Sequence, residues 1–244
     1  KFTTINGNLC LMGAPRSEPA FFLPPIGENK MRETVGACLS FCPRLSCIPE
    51  SFLLRHGQGL RGEEDKSNFD YVYRVVDLIN LRGKKYDGKR NRIKKFERSC
   101  SSRYVRLTPE HLPTCRRLLE EWFEVKIRQD GSIGEAQKRA MLEALNCFSE
   151  LKLVGGAVEI EGRVEAFSIG ERLNADTAVI HIEIANADYE GLAQFINREF
   201  VKNEWAAYEY INREQDMGVA GLRRAKMSYY PSHLVKKFNI TSVI

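Results

Sequence analysis

The chain of 244 residues has no long apolar run. Its best candidate, Ala178–Ile182, is interrupted by His181 and ended by Glu183, far short of the ~18 residues a helical membrane span needs. No close Cys-x-x-Cys pair occurs among its seven cysteines (10, 38, 42, 47, 100, 115 and 147), and the count is odd, which argues against a disulfide framework and for reduced thiols in a cytoplasm. Cys38 and Cys42 share one helical face, and no His lies nearer to this group than His56, so the cluster reads as core packing and no metal site is expected. Extremes of composition are missing too. With 43% hydrophobic and 28% charged residues and a mean hydropathy of −0.36, disordered, collagen-like and coiled-coil chains are excluded. The first residue is Lys1 rather than Met, which leaves a targeting segment upstream open.

Charge, by contrast, is concentrated. Residues 82–98 (RGKKYDGKRNRIKKFER) hold nine Lys or Arg against Asp87 and Glu97, a local +7 in a chain of net +5, so the remainder is about −2. Such a block tracks a polyanion or a phosphate-bearing ligand, with Lys84, Lys85, Lys89 and Arg90 as candidate phosphate contacts. The competing reading is a solvated helix whose buried stripe is Tyr86, Ile93, Phe96 and Cys100.

Periodicity gives the organisation. FTTINGNLCLM reads as two strands joined by Asn6-Gly7, a pair suited to the positive φ angles of a tight hairpin. A strand at 21–23 stops at Pro24-Pro25. A helix follows over 28–42, then a strand at 45–48, a helical turn at 50–56 and a strand at 69–76 before the basic helix. The second half begins with a strand at 104–107 and a helix opened by Thr108-Pro109-Glu110, with the stripe Leu112, Cys115, Leu118, Leu119, Trp122 and Val125. After the break Gln129-Asp130-Gly131, Ser132 and Glu135 form a capping box for a helix through Phe148. Strands at 151–160 and 164–169 flank the turn Glu161-Gly162. A strand at 177–185, a helix at 191–203, a short strand at 208–212, a helix at about 218–228 and a closing strand at 234–240 complete the order. The class is α+β with mixed sheets and flanking helices. The shared order of the halves suggests a duplication, with residues 1–100 as an N-terminal copy clipped at its start and 101–244 as a complete C-terminal copy.

That order is similar to the GNAT acyltransferase fold. The segments NFDYVY (68–73), LRGKKYDGKRNRIKKF (81–96), LVGGAVEIEGRVEAFSIGE (153–171), VIHIEIANADYEGLAQFINREF (179–200) and YINREQDMGVAGLRRAKMSYYP (210–231) resemble the bacterial family of the C-terminal domain of phosphatidylglycerol lysyltransferase, a tandem GNAT-like unit. The resemblance implies a transferase. Lysyltransferases, like the related Fem-type enzymes, take their acyl group from aminoacyl-tRNA, a polyanion that suits the basic helix; their membrane-embedded region is absent from this sequence.

In the strand 177–185, alternation places Ala178, Ile180, Ile182 and Ile184 on one side and Val179, His181 and Glu183 on the other. The resemblance sets His181 and Glu183 beside a substrate cleft, where either serves as a base toward an attacking amine or hydroxyl; the alternative is a core pair bonded to each other. Next comes the polar knot Asn212-Arg213-Glu214-Gln215-Asp216. Here Arg213 suits a phosphate or carboxylate and Glu214 an amine, while Asp216 reads as the cap of the helix near Gly218. Asn212, Arg213, Glu214 and Lys226 are the candidate substrate-binding residues. Tyr229 is a candidate proton donor by resemblance, against the alternative of a packed, hydrogen-bonded aromatic. Acyl-CoA-using relatives place a (Gln/Arg)-x-x-Gly-x-(Gly/Ala) turn at a helix start, and Gly191 and Ala193 match it as candidate phosphate contacts. Asp188 replaces the basic or amide residue and Glu190 adds a second negative charge, which argues against CoA; no cofactor is assigned. Three functions are therefore in play: an acyl or aminoacyl transferase, a non-catalytic module binding RNA or a phosphorylated ligand, and an acetyl-CoA-dependent N-acetyltransferase.

Overall fold

A computed structural model describes residues 1–14, 19–130 and 134–243, side chains of 127–130 excepted. In chain order the elements are β1 (Phe2–Ile5), β2 (Asn8–Gly13), β3 (Phe21–Phe22), α1 (Met31–Phe41), β4 (Leu45–Pro49), α2 (Glu50–His56), β5 (Leu60–Glu64), β6 (Asp70–Arg74), α3 (Val75–Asn80), α4 (Asp87–Ser99) and β7 (Ser102–Arg106). Then come α5 (Leu112–Asp130), α6 (Glu135–Asn146), β8 (Val154–Ile160), β9 (Arg163–Arg172), β10 (Thr177–Ala185), α7 (Leu192–Glu204), β11 (Tyr210–Asn212), α8 (Ala220–Met227), β12 (His233–Val235) and β13 (Lys237–Val243). No helix among the described residues is long and apolar enough to cross a membrane.

The chain forms two compact units. One comprises Lys1–Tyr71, Gln215–Arg223 and Leu234–Ile244; the other comprises Val72–Glu214 and Arg224–His233. The boundary expected at residue 100 falls inside the second unit. The first unit carries a six-stranded sheet in the order β1-β2-β3-β4-β13-β5. Asn6 and Gly7 both take the left-handed backbone that the hairpin turn requires. The stripe of α1 buries Met31, Val35 and Cys38 against Cys10, Phe22, Leu45, Ile48 and Ile240, so these cysteines act as small core hydrophobes. Among the described residues no group of His, Cys, Asp and Glu is arranged to hold a metal ion. Two short elements escaped the periodicity: β5, with one half-buried and four exposed residues, and α3, which ends the strand expected to reach residue 76. The closing strand splits at residue 236. Of its two parts, β12 lies at the edge of the second sheet, whereas β13 pairs with both β4 and β5 in the first.

The second unit is built on a seven-stranded sheet in the order β12-β6-β11-β10-β9-β8-β7. Strands β7 to β10 form an antiparallel meander; β10 then pairs with β11 in parallel through the crossover helix α7. One sheet face is covered by α5 and α6, whose Cys115, Leu118, Leu119, Phe123 and Leu145 meet Phe167, Ile169, Ile182 and Ile184. At the start of α5, Thr108 and His111 cap the preceding turn reciprocally, as Thr108-Pro109 signalled. Helix α5 continues to Asp130; Gly131 and Ser132, and with them the second expected capping box, lie outside the described residues.

Two irregularities part the strands at the middle of this sheet. The β10–β11 ladder holds only at Thr177–Tyr210, Ala178–Ile211 and Val179–Asn212, after which β10 continues beside β9 alone. The β9–β10 register also shifts between Ile180 and Ile182, placing one extra residue, His181, outside the regular pairing. Gly170 lies opposite Ile180, and a Cβ there would sit 2.2 Å from the Val179 carbonyl oxygen, so the close approach of the strands demands glycine. The strict alternation expected along 177–185 is therefore broken at His181: Ile182 and Ile184 join the α5–α6 core, while Ala178 and Ile180 are buried outside that cluster.

Candidate functional site

His181 occupies the opening between β10 and β11 with both ring nitrogens engaged. Nδ1 is 2.7 Å from Glu214 Oε1, and Nε2 is 3.0 Å from Glu171 Oε1. Its side chain is 32% exposed, and its carboxylate partners are more open than that. The hydrogen bond to Glu214, reinforced by Glu171 and opposed by burial, raises the imidazole above its ordinary value near 6.5.

Glu214 is set by its own backbone. It adopts a left-handed φ of 56°, an unusual conformation for a residue with a Cβ, and two groups hold it there. The Asn212 side-chain oxygen accepts the Glu214 N–H at 2.7 Å, and the buried Lys226 ammonium donates to the carbonyls of both Arg213 and Glu214. Asn212 and Lys226, singled out as substrate-binding residues, thus organise the loop that presents Glu214.

Glu183 makes a separate ion pair. One carboxylate oxygen lies 2.9 Å from Arg213 Nη2 and the other accepts from Asn197 Nδ2 of α7 at 2.8 Å. Both Glu183 and Arg213 are largely buried. The Arg213 guanidinium also packs over two rings, Tyr229 at 4.9 Å and Tyr73 at 5.7 Å, with its second terminal nitrogen buried and unbonded. Tyr229 is buried and faces a second cation, the Lys89 ammonium 4.3 Å from its ring centre. Burial raises the Tyr229 phenol while Arg213 pulls the other way; the hydroxyl stays protonated at neutral pH. Burial, with Arg92 and Arg213 nearby, lowers Lys89, whose ammonium donates to Ser228 Oγ at 2.6 Å.

Of the knot 212–216, Gln215 and Asp216 belong to the first unit, where Asp216 is fully buried. It accepts from Tyr71 Oη at 2.6 Å, from the Gly218 N–H at 2.8 Å, and from Arg223 through two bonds at 2.7 and 3.0 Å. Asp216 is a structural pin, in keeping with the capping role its sequence position suggested.

The basic segment divides into engaged and open cations. Arg90 folds back on the carbonyls of Leu81 and Gly83 and on Asp87; Lys95 pairs with Glu190. Lys84, Lys85, Arg92, Lys94 and Arg98 are exposed, and Lys94, Lys95 and Arg98 line a recess of about 560 Å³. Of the expected stripe, Ile93 and Phe96 of α4 and the preceding Tyr86 are buried, whereas Cys100, past the end of the helix, is only half-buried.

The start of α7 tests a CoA pyrophosphate. Gly191 has φ +92°, and a Cβ on it would lie 2.2 Å from the carbonyl oxygen of Arg92, so α4 packs directly on the turn. Phe96 and Phe195 seal the same contact with ring centres 5.0 Å apart. A backbone carbonyl facing Gly191, together with Asp188 and the exposed carboxylate of Glu190, opposes a diphosphate, and the turn does not fit one.

Sequence reasoning did not pick out Glu171, Asn197 or Tyr73. Asn197 carried the clearest signal, a polar residue that the structure buries to 1% exposure on α7. Glu171 stands opposite Val179 in the β9–β10 ladder, a pairing that only the register reveals.

A splayed parallel pair of strands with a crossover helix, on a sheet with helices on both faces, defines a GNAT-like fold, here in a tandem α+β chain with two mixed sheets. Residues 2–241 match the family model described as "Phosphatidylglycerol lysyltransferase, C-terminal", and the chain belongs to that family. A conserved protein of unknown function from Bacteroides thetaiotaomicron VPI-5482 superposes with a TM-score of 0.84 at 28% identity, over 98% of this chain and 84% of that one. L-PGS from Bacillus licheniformis superposes with a TM-score of 0.68 at 18% identity, over 99% and 83%. FemX gives 0.59 at 8% identity over 95% and 83%. The last two likenesses are of fold. No curated protein sequence matches the chain.

Proposed function

We propose that the chain is a transferase that moves an acyl or aminoacyl group from a polyanionic donor, aminoacyl-tRNA, to an amine or hydroxyl acceptor, with His181 handling the proton. The observation that carries this reading is the placement of His181: displaced from the sheet by a register shift, at the point where β10 and β11 part, and held between Glu214 and Glu171. With Nδ1 held by Glu214, the imidazole first gives its Nε2 proton to Glu171 and then, its Nε2 lone pair freed, takes a proton from an attacking nucleophile. The family's description names lysyl transfer to phosphatidylglycerol, which supports a group-transfer chemistry of this kind. Glu183 is spent on Arg213 and Asn197, so it positions Arg213 rather than exchanging protons. Arg213 and protonated Tyr229 supply donors beside the opening for charge developing on the acyl carbonyl or the leaving oxygen.

The test supplies lysyl-tRNA, alanyl-tRNA and acetyl-CoA in parallel, with phosphatidylglycerol vesicles and small amines as acceptors, to wild type and to His181→Gln. Transfer from an aminoacyl-tRNA that falls by a factor of ~10²–10⁴ in His181→Gln is the expected result. Transfer from acetyl-CoA alone would sink the donor assignment. Equal rates in wild type and His181→Gln would remove His181 from the chemistry, and RNA binding without transfer to any acceptor would favour the non-catalytic reading.

A further inference from the structure

Next to the candidate site, the second unit displays an aromatic ring that its own packing does not require to be open. Tyr230 is 46% exposed, yet it is held rigidly. Its backbone sits in the left-handed region at φ 55°, a strained choice for an aromatic residue. Its N–H bonds to the Met227 carbonyl at 2.9 Å, and its ring packs edge-on against fully buried Tyr86, with centres 5.5 Å apart and planes at 86°. The Tyr86 hydroxyl, in turn, donates to the carbonyl of Tyr229, clamping the turn that carries both tyrosines. The Lys85 ammonium lies 4.9 Å from the Tyr230 ring centre and 5.0 Å from that of Tyr86, and Lys84 is exposed beside it.

We infer that Tyr230, with Lys85 at its edge, is a stacking platform for an unpaired base in the single-stranded end of an RNA, and that Lys84 contacts the adjoining phosphate. The inference rests on the proposed polyanionic donor and names which part of it is gripped. A rigid half-open ring offers a π surface to any base, and its order has already been met by the fold, so little entropy is lost on binding. The flanking cations give the backbone attraction that single-strand binding uses. Tyr229, next in the chain, packs against Arg213, so a base stacked on Tyr230 lies one residue from the side chains assigned to the chemistry. A lipid surface also attracts exposed aromatics and lysines, but here the same turn adds one exposed apolar side chain, Met227, which is little to insert among acyl chains.

The experiment titrates the full chain into a labelled single-stranded RNA hexamer, into the same RNA as a blunt duplex, and into anionic phosphatidylglycerol vesicles. The variants are Tyr230→Ala, Tyr230→Trp and Lys84→Ala. Expected for Tyr230→Ala is about tenfold weaker binding of the single strand with duplex affinity unchanged, and restoration by Tyr230→Trp. Lys84→Ala lowers the slope of log affinity against log salt for both RNAs by about 0.7–0.9. Unchanged single-strand affinity in Tyr230→Ala overturns the platform while leaving the transfer reading intact, and so does a loss confined to vesicles, which would assign the ring to a membrane. A wild-type chain that binds neither RNA overturns the platform and the polyanionic donor together.

Discussion

The His181 imidazole and the Glu214 carboxylate are 33 residues apart in sequence and 2.7 Å apart in the fold. Because β10 and β11 are parallel neighbours that separate after Val179 and Asn212, the bulged residue of one strand meets the first loop residues of the other. This relationship has a measurable pH signature. The folded-state pKa of His181 is raised above the unfolded value, chiefly by the Glu214 hydrogen bond. The pair's stabilisation is therefore complete below about pH 6.5 and fades as pH rises through the folded value. Replacing Glu214 with Gln lowers the His181 titration midpoint and flattens the loss of stability above pH 6.5. The stability change is modest, about 1 kcal/mol or less, because the carboxylates remain wet. Proton NMR of the imidazole across pH 5–9 checks the midpoint; an unmoved midpoint would break the link between these residues.

Glu183 and Arg213 lead to a different outcome, a larger effect on stability. Glu183→Gln leaves the Arg213 guanidinium buried beside two tyrosines without its carboxylate, at a cost of about 3 kcal/mol. His181→Gln, at a partly exposed position, costs less than about 1 kcal/mol. Urea unfolding of both variants separates the roles. Equal stabilities would mean that Glu183 is not the structural partner its contacts make it.

In the first unit, Asp216 with its three sets of donors predicts acid sensitivity. Arg223 and Tyr71 hold its carboxyl below the usual carboxylate range against the upward pull of burial. Its stabilisation is thus present above about pH 4 and is lost as pH falls further. Tyr71→Phe removes one bond to a buried charge and costs about 1.5–3 kcal/mol. Thermal melts of Tyr71→Phe between pH 3 and 7 should show the deficit shrinking at the acid end; a deficit constant with pH would exclude Asp216 as its source.

Much of this arrangement was legible in the sequence because the signals were local. The Asn6-Gly7 and Glu161-Gly162 turns and the stripe of α5, apart from the exposed Val125, each depend on neighbours in the chain. His181 and Glu183 were expected side by side on one face of the strand, but each takes its own partners, because partners are chosen by register. Glu171 comes from the adjacent strand and Asn197 from the crossover helix. The bulge at His181 was also hidden, since an inserted residue leaves the apolar pattern Ala178, Ile180, Ile182, Ile184 intact while changing which way the chain turns. The closing strand was expected at 234–240, but the sheet that takes β13 was hidden for a related reason: nothing local tells which sheet will pair with residues 237–243.

Gly191 joins the donor question to a packing fact. Its φ of +92° lies where an L side chain is strained, and the carbonyl of Arg92 fills the place of a Cβ at 2.2 Å. Gly191→Ala therefore forces α4 and α7 apart and costs about 2 kcal/mol or more, read as a shifted urea midpoint with an unchanged slope. The same contact is why acetyl-CoA should not stabilise the protein: with α4 against the turn and Asp188 and Glu190 beside it, the start of α7 does not fit a diphosphate. A ligand at 1,000 times its dissociation constant adds about 4.1 kcal/mol to folding stability, so low-micromolar affinity would be obvious at millimolar concentration. Wild type in 1 mM acetyl-CoA should melt within error of the free protein. A clear upward shift abolished by Gly191→Ala would restore the α7 start as an acyl-CoA site and overturn the assignment of a different donor.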